Sequence, residues 1–263
     1  MLIKNDTIDS GNAFDFGKTS SDYARYRDIY PELFYQTLAD KGLCVSGQRV
    51  LDIGTGTGVL PRNMYRFGAK WVGTDISENQ LEEARRLSAE TGADIEYYAF
   101  PAEKLGFENG SFDVITACQC YWYFDHKQTA PMFAGLLADK GRLVLLLMNW
   151  LPYEDEIAMK TEQLVLKYNP VWTGGGEQFH ELYVPEEYLE YFTVVDSGAY
   201  RLPVHFTRET WNGRIRACRG IGASSLSEEE KAAWEKEHLE MLAQYPEEFD
   251  IAHFAAYAIL EKK

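Results

Sequence analysis

The sequence predicts an α/β protein with a doubly wound, mostly parallel sheet. Short apolar segments alternate with segments of helical periodicity through roughly the first 150 residues, which is typical of parallel sheets with connecting helices. The apolar segment at residues 50–53 runs directly into a glycine-rich turn at residues 54–58, and a helical pattern follows. A strand, a glycine-rich turn and a helix in this order form a common ligand-binding unit of such sheets.

The predicted elements of the N-terminal half follow from local signals. Residues 1–15 show no regular pattern and are predicted to form a loose tail, and residues 16–38 are predicted to be helical, with Pro31 opening a second helix. Ser77 followed by Gln80 predicts a capping box at the start of another helix. Strands are predicted at residues 50–53, 71–74, 95–100, 114–118 and 142–148, and further helices at 59–67 and 128–138.

The second half has a less regular pattern, with an extended segment predicted at residues 194–207 and a last strand at 254–260. Ser227 and Glu230 predict a capping box that opens a helix reaching about Tyr245. The sheet is therefore predicted to have seven strands, all in one domain. Its segments are an N-terminal ligand-binding core with preceding helices (1–150), an inserted helical cap or substrate region (151–192), and C-terminal strands and helices that complete the same domain (193–263).

The charge balance excludes two classes of partner. Lys and Arg total 26 and Asp and Glu total 41, which gives a formal net charge of −15. Nucleic acids and anionic membranes bind positively charged surfaces, so we expect neither as a partner. The longest apolar run, Leu143–Met148, is too short to span a bilayer, and the N-terminus has no apolar signal segment. The four cysteines fit reduced thiols better than a disulfide framework, so we expect a cytoplasmic protein.

The glycine-rich turn is compatible with two ligand classes. A pyrophosphate-binding turn has the spacing G-x-G-x-x-G, whereas this turn has glycine at alternate positions and Val59 where a third small residue is expected. Asp52 precedes the turn, and its charge would repel a pyrophosphate and suit a cationic ligand. S-adenosylmethionine fits this turn better, because it carries a sulfonium and an ammonium group and no phosphate. Asp75, which ends the second predicted strand, can bind ribose hydroxyls in either class and does not discriminate between them.

Three motifs extend this interpretation: VLDIGTGTG, VGTDIS and GSFDVITACQ, in that order. In sequence and spacing they resemble the core motifs of class I S-adenosylmethionine-dependent methyltransferases, and the resemblance covers residues 16–150 well. It implies a Rossmann-like methyltransferase fold, S-adenosylmethionine as cofactor and methyl transfer to a small molecule. The alternative is a nucleotide-dependent dehydrogenase, which Asp52 and the glycine spacing disfavour.

The resemblance also implies roles for individual residues. The positions that match the family's cofactor contacts are Tyr23, Arg27, Asp52, Gly54, Thr55, Gly56, Gly58, Asp75, Ile76, Ala102, Glu103, Cys118 and Gln119. The turn would hold the methionine part, with Asp52 near its ammonium group, Asp75 at the ribose and Ile76 against the adenine. Tyr23 would cover the methionine carboxylate and Arg27 would pair with it, although Arg27 also fits an ordinary surface charge.

The adenine edge departs from the family pattern. Many members have Asp where this chain has Pro101, whose side chain cannot form a hydrogen bond. Ala102 and Glu103 would flank the adenine edge, and Glu103 is the candidate that replaces the missing Asp. Cys118 and Gln119, at the end of the fourth predicted strand, would face the methionine part.

The predicted acceptor pocket is aromatic and lacks the expected base. Many relatives have a histidine near the position of Trp122, and this chain has none there. His126 is expected to be a surface or packing residue, and Phe124 a core residue. Trp122 and Trp150 follow predicted strands at the ligand-binding edge of the sheet, so we predict that both line the pocket.

Four arginines stand out in the segment FTRETWNGRIRACRG: Arg208, Arg214, Arg216 and Arg219. This segment resembles the C-terminal part of trans-aconitate-type methyltransferases, which implies a carboxylic acid as methyl acceptor, with Arg214 and Arg219 as pocket candidates. A carboxylate is already ionised at pH 7 and needs no base. The alternative is that the arginines pair with acidic residues and stabilise the fold.

The sequence leaves a second function class open. A methyltransferase-like protein that binds S-adenosylmethionine without catalysis is compatible with the missing histidine and with Pro101. Cys118 and Cys120 are too few for a zinc site, so no metal is predicted. We expect a monomer or a homodimer with a small-molecule acceptor, whose identity the sequence does not reveal.

Overall fold

A computed structural model describes residues 3–263 and contains a seven-stranded sheet with helices in the connections. Its strands are β1 (Arg49–Ile53), β2 (Lys70–Asp75), β3 (Ile95–Ala99), β4 (Phe112–Cys118), β5 (Leu137–Trp150), β6 (Phe192–Thr207) and β7 (Glu248–Lys262). Its α-helices are α1 (Ser20–Tyr26), α2 (Glu32–Asp40), α3 (Val59–Met64), α4 (Glu78–Thr91), α5 (His126–Leu136), α6 (Glu156–Tyr168), α7 (Glu186–Tyr191), α8 (Arg208–Arg216) and α9 (Glu228–Leu242). Short 3-10 helices cover Asp9–Gly11, Phe16–Thr19, Tyr65–Phe67 and Tyr121–Tyr123.

The strand order of the sheet is β3-β2-β1-β4-β5-β7-β6. Parallel pairs join β1 to β2, β1 to β4, β2 to β3 and β4 to β5. The chain order therefore reverses between β1 and β4, and the crevice at the carboxyl ends of two such strands is the usual ligand site of an open α/β sheet. The predicted doubly wound, mostly parallel sheet is confirmed.

The central strands are apolar because helices cover both faces of a parallel sheet. Val50 and Leu51 of β1 and Ile115 of β4 are fully buried. The predicted strands in the first half are confirmed, with limits that differ by a few residues. The largest difference is in β5, which begins at Leu137 and not at residue 142 as predicted. The additional residues include polar ones, and Lys140 has a φ of 62°, so they do not show the pattern of a buried strand.

Two local predictions are wrong. The described part of residues 1–15 is not a loose tail, because Ile3 and Phe14 form an antiparallel bridge and Phe14 is buried. Ser77 does precede α4, but its side chain makes no capping hydrogen bond; its backbone N–H donates to Asp75 at 2.8 Å instead. The capping box that opens α9 at Ser227 is confirmed.

The chain divides into two compact units. Unit 1 comprises the described part of Met1–Ile29, with Asn149–Phe179 and Arg201–Phe254, and unit 2 comprises Tyr30–Met148, His180–Tyr200 and Ala255–Lys263. Unit 2 holds β1 to β4 and the glycine-rich turn, and unit 1 holds α1, α6, α8 and α9. The three predicted segments, with limits at residues 150 and 192, stay a prediction. Within the described part of the chain, no helix is both long and apolar enough to cross a membrane.

Candidate functional site

The turn between β1 and α3 requires glycine at three positions. Gly54, Gly56 and Gly58 have φ angles of 66°, 56° and 73°, a left-handed conformation that other residues disfavour. The N–H of Gly58 donates to the carbonyl of Thr55 at 2.9 Å, and the N–H of Thr55 donates to the carbonyl of Thr74 in β2 at 2.9 Å. These bonds fix the turn at the carboxyl ends of β1 and β2.

Protein side chains occupy the space beside two of these glycines. A Cβ atom at Gly54 would lie 2.7 Å from Sγ of Cys120, and one at Gly58 would lie 2.4 Å from the hydroxyl oxygen of Tyr97. The Cys120 thiol donates to the carbonyl of Ile53 at 3.0 Å, and burial raises the pKa of this thiol well above its ordinary value. Close packing within the protein therefore demands glycine at positions 54 and 58, whatever ligand the turn binds.

Asp75 joins two backbone segments at the end of β2. Its Oδ2 accepts the N–H of Gly56 at 2.9 Å, and its Oδ1 accepts the N–H of Ser77 at 2.8 Å. Burial raises the pKa of the Asp75 carboxyl group, and these two backbone bonds act against that shift. A carboxylate has about four acceptor sites. The side chain therefore keeps the capacity to accept hydrogen bonds from a pair of ribose hydroxyls.

Asp52 is a buried residue of β1 and lies opposite Thr116 of β4. Its side chain accepts the hydroxyl of Thr116 at 2.6 Å. Burial raises the pKa of Asp52 to about 6, the charge of Asp75 acts in the same direction, and the bond from Thr116 opposes the shift. A positive charge nearby would stabilise such a carboxylate in its ionised form. The position fits the cationic part of a ligand.

The predicted adenine-edge residues lie in the connection after β3. Ala102 is buried, and Oε1 of Glu103 accepts the N–H of Asp125 at 3.0 Å. This bond connects the β3–β4 segment with the residue that caps α5. Ile76, which follows Asp75, is partly exposed. Ile76, Ala102 and Glu103 all belong to unit 2, as does the glycine-rich turn.

The chain after β4 passes through a left-handed residue. Gln119 has a φ of 63°, its N–H donates to the carbonyl of Leu146 at 3.0 Å, and its side-chain amide donates to the carbonyl of Met148. Gln119 thus ties the end of β4 to β5. The neighbouring Cys118 thiol donates to the hydroxyl of Tyr30 at 3.5 Å.

Trp122 lies in the 3-10 helix Tyr121–Tyr123 and is partly exposed. This helix is held from two sides in unit 2. The hydroxyl of Tyr121 donates to the carbonyl of Tyr183 at 3.3 Å, and Nε2 of His126 lies 2.9 Å from the carbonyl of Tyr121. His126 thus makes a hydrogen-bonding contact with the backbone of its own segment, and its ring lies 5.4 Å from that of Tyr188.

In unit 1, the predicted cofactor residues Tyr23 and Arg27 contact each other. The Arg27 guanidinium lies 4.6 Å from the centre of the Tyr23 ring, and its Nη2 donates to the Tyr23 hydroxyl at 3.1 Å. Nη1 of Arg27 donates to Sγ of Cys218 at 3.7 Å. The two residues thus form one stacked pair at the C-terminal end of α1.

Trp150 and Arg214, both predicted for the acceptor pocket, form a buried cluster in unit 1. The indole N–H of Trp150 donates to Glu162 at 2.6 Å, and burial raises the pKa of Glu162. The Arg214 guanidinium lies 5.1 Å from the centre of the Trp150 ring, and its Nη1 donates to Sγ of Cys218 at 2.8 Å. Glu162 is a part of this cluster that the sequence pattern did not indicate.

The other arginines of the predicted cluster are paired with acidic residues of unit 1. These ion pairs are Arg208–Glu247, Arg216–Asp22, Arg216–Glu235 and Arg219–Asp9. The Arg216 pairs are both 2.6 Å long, and Asp9 and Arg219 are both largely buried. The contacts of Arg208, Arg216 and Arg219 are therefore those of the second interpretation, in which the arginines pair with acidic residues and stabilise the fold.

Comparison with known proteins agrees with this geometry. Residues 50–141 match the family model of the methyltransferase domain. That span contains residues 50–53 of β1, the glycine-rich turn and Asp75. This part of the chain is therefore similar to a methyltransferase domain. The finer similarity to trans-aconitate-type methyltransferases, the cytoplasmic location and the oligomeric state stay predictions.

Individual relatives are similar to different extents of this chain. A curated Bordetella parapertussis protein named ubiquinone biosynthesis O-methyltransferase is 32% identical over 137 residues, which cover 51% of this chain and 57% of that protein. The chain thus spans little more than half the length of this curated relative. A solved structure of a proposed methyltransferase from Bacillus halodurans has a TM-score of 0.54 and 16% identity, covering 86% of this chain and 97% of that one. A solved structure of a proposed sarcosine dimethylglycine methyltransferase from Galdieria sulphuraria has a TM-score of 0.53 and 15% identity, covering 88% of this chain and 84% of that one. The two solved structures share the fold.

Proposed function

We propose that this protein transfers a methyl group from S-adenosylmethionine to an oxygen atom of a small molecule. The observation that carries the proposal is the placement of two carboxylates, Asp52 and Asp75, around the glycine-rich turn. Asp52 would repel a pyrophosphate and attract the cationic groups of the proposed donor, and Asp75 would bind its ribose hydroxyls. Asp52, together with the glycine spacing of the turn, argues against the dehydrogenase alternative.

The residues of unit 2 fit the donor's nucleoside and methionine parts. When bound, S-adenosylmethionine supplies a methyl group activated by a positively charged sulfur. Asp75 would hold the ribose hydroxyls and Ile76 would pack on the adenine, with Ala102 and Glu103 at the adenine edge. The backbone of Gly54, Thr55, Gly56 and Gly58 would lie under the methionine part, beside Cys118 and Gln119.

The methionine end of the donor carries a carboxylate and an ammonium group. Asp52 is the proposed partner of the ammonium group, because its buried carboxylate is stabilised by a nearby cation. Arg27, held on the ring of Tyr23, is the proposed partner of the carboxylate. Binding of these two groups would align the donor, and alignment supplies much of the rate of an in-line displacement.

The curated relatives are named O-methyltransferases, which supports an oxygen atom as the methyl acceptor. We propose that this oxygen belongs to a carboxylate. A carboxylate is ionised at pH 7 and needs no general base. Arg214, whose guanidinium is buried against Trp150, is the proposed anion-binding residue. Trp122 and Trp150 are the proposed aromatic walls. Arg219 is engaged by Asp9, so we do not assign it to the acceptor.

Release of S-adenosylhomocysteine tests this function. The wild-type protein would be incubated with S-adenosylmethionine and a panel of small carboxylic acids, phenols and amines. We expect release with an oxygen nucleophile, with carboxylic acids the most active class. Binding of S-adenosylhomocysteine without turnover of any acceptor class would favour the non-catalytic alternative. Turnover of amines alone would contradict the oxygen acceptor.

A further inference from the structure

We propose that Asp9 and Arg219 are positioning residues for methyl-donor binding, because their ion pair fixes the N-terminal segment that leads into α1, where Tyr23 and Arg27 lie. This inference rests on the proposed function, in which Tyr23 and Arg27 hold the donor's methionine carboxylate. Asp9 and Arg219 themselves would touch neither the donor nor the acceptor.

The ion pair is buried and joins three connecting segments of unit 1. The side chains of Asp9 and Arg219 are 6% and 14% exposed. Oδ1 of Asp9 also accepts the backbone N–H of Thr173 at 2.7 Å and its hydroxyl at 3.0 Å. The pair thus connects the N-terminal segment (residues 3–19), the loop after α6 and the turn after α8. Removal of one partner would leave the other as an uncompensated buried charge.

A row of aromatic contacts runs from the ion pair to the proposed donor residues. The Arg219 guanidinium lies 5.9 Å from the centre of the Phe14 ring. Phe14 meets Phe16 edge-on at 5.5 Å, and Phe16 meets Tyr23 edge-on at 6.0 Å. Tyr23 in turn carries the guanidinium of Arg27. Edge-on ring pairs have a preferred geometry, so a shift at Phe14 displaces the rings that follow.

The turn after α8 also contacts the segment at other points. The N–H of Asp15 donates to the carbonyl of Ala223 at 2.9 Å. A Cβ atom at Gly222 would lie 2.6 Å from Cγ2 of Thr19, so the backbone at Gly222 packs closely against the Thr19 side chain. Cys218, the neighbour of Arg219 in the chain, accepts a hydrogen bond from Arg27. The turn that pairs with Asp9 therefore also touches Arg27 directly.

The N-terminal segment holds a backbone conformation that needs such support. Asp9 and Ser10 have φ angles of 48° and 54°. Residues other than glycine adopt these values only where surrounding contacts impose them. The bonds from Asp9 to Thr173 and Arg219 are such contacts, so loss of the ion pair should release the segment.

Two ligands that differ in the methionine part test the proposal. S-adenosylhomocysteine contains the methionine carboxylate, and adenosine lacks it. In Asp9→Asn and Arg219→Met, titration calorimetry should give an affinity for S-adenosylhomocysteine about 3- to 30-fold lower, with the affinity for adenosine within about twofold of the wild-type value. Arg219→Lys keeps the charge and should recover most of the affinity. Thr173→Val removes the hydroxyl bonds of Thr173 to Asp9 and Arg219 but keeps its backbone N–H bond to Asp9, and it should have a smaller effect in the same direction.

The control is Glu154→Gln, which breaks an exposed ion pair with Arg201 in the same unit and should change neither affinity. If the Asp9 and Arg219 variants melt earlier but bind S-adenosylhomocysteine normally, the pair only stabilises the fold and the proposal is wrong. Equal losses for both ligands would also overturn it, because the effect would not be specific to the methionine part. A wild-type protein that binds neither ligand would contradict the proposed function itself.

Discussion

The carboxylate of Asp75, at the end of β2, accepts the backbone N–H of Gly56 in the turn after β1, at 2.9 Å. The residue proposed to hold the ribose therefore also fixes the shape of the turn under the methionine part. In the proposed donor site, the ribose part and the methionine part would therefore share one side chain. A substitution of Asp75 should affect both.

Asp75→Asn should weaken binding of S-adenosylhomocysteine by about tenfold or more, because hydrogen bonds to a charged group contribute about 1.5–3 kcal/mol. An amide has one acceptor oxygen, so it cannot bind Gly56, Ser77 and a ribose as a carboxylate does. Titration calorimetry measures the change. The matched control is Asp113→Asn, since Asp113 accepts the N–H of Arg49 at 2.7 Å at the opposite end of the sheet. Equal affinity in Asp75→Asn and the wild type would remove Asp75 from the site.

Gly54→Ala should abolish binding of S-adenosylhomocysteine, because its Cβ would lie 2.7 Å from Sγ of Cys120 and the turn would have to move. Gly92→Ala is the control, because Gly92 also has a left-handed φ, of 70°, with no atom within 4 Å of a Cβ there. Both variants carry a backbone strain of about 1–2 kcal/mol. If both retain the same affinity, the packing of the turn against Cys120 does not matter for the ligand.

The glycine-rich turn shows how far the sequence predicts the site. The three motifs predict the strand, the turn and the acid at the end of the next strand, because spacing along one strand–turn–helix unit is local information. The reasons for Gly54 and Gly58 depend on Cys120 and Tyr97, which lie far away in the chain. Strand pairing brings them to the turn, and no local pattern shows it.

The same limit explains the errors in unit 1. The N-terminal segment is held by single long-range contacts, such as that between Asp9 and Arg219. Such contacts leave no periodic pattern in the sequence, so the segment could not be predicted from it. Helix α8 was not predicted, and it contains Gly213, which weakens a helical pattern. Its Gly213 has a packing reason instead, because a Cβ there would lie 2.4 Å from the ring of Tyr26.

The free energy of unfolding should fall as the pH drops below about 6.5. Burial lowers the pKa of His238 and His253 from 6.5 to about 3, so between these values the unfolded chain binds protons that the folded chain does not. Nδ1 of His238 lies 2.8 Å from the side-chain oxygen of Asn212, and its Nε2 lies 3.0 Å from the Thr161 hydroxyl. A neutral ring can donate to the first and accept from the second. Asp52, whose pKa is raised from 3.8 to about 6, acts in the opposite direction in that window.

Urea unfolding between about pH 7.5 and 5.5 measures this dependence. His238→Gln should make the fall in stability less steep, since one of the two buried histidines is removed. His205→Gln is the control, because the His205 side chain is 62% exposed. Parallel curves for His238→Gln and the wild type would show that His238 does not contribute to the pH dependence.

Arg214→Gln should reduce turnover of an anionic acceptor by about tenfold more than turnover of a neutral one, because the variant lacks the charge proposed to bind the acceptor. Arg208→Gln is the matched control, since Arg208 lies at the start of α8 and pairs with Glu247. The comparison uses the acceptors that are active in the S-adenosylhomocysteine release assay. An equal loss for both acceptor types would assign Arg214 a stabilising role instead.

We propose that the turn at residues 54–58, with Asp52 and Asp75, binds an adenosyl amino acid and rejects a dinucleotide. Titration calorimetry of the wild-type protein with S-adenosylhomocysteine and, separately, with NAD⁺ measures this specificity. We predict saturable one-site binding of S-adenosylhomocysteine with a dissociation constant on the order of micromolar, and no saturable binding of NAD⁺. Saturable binding of NAD⁺ without binding of S-adenosylhomocysteine would contradict the claim.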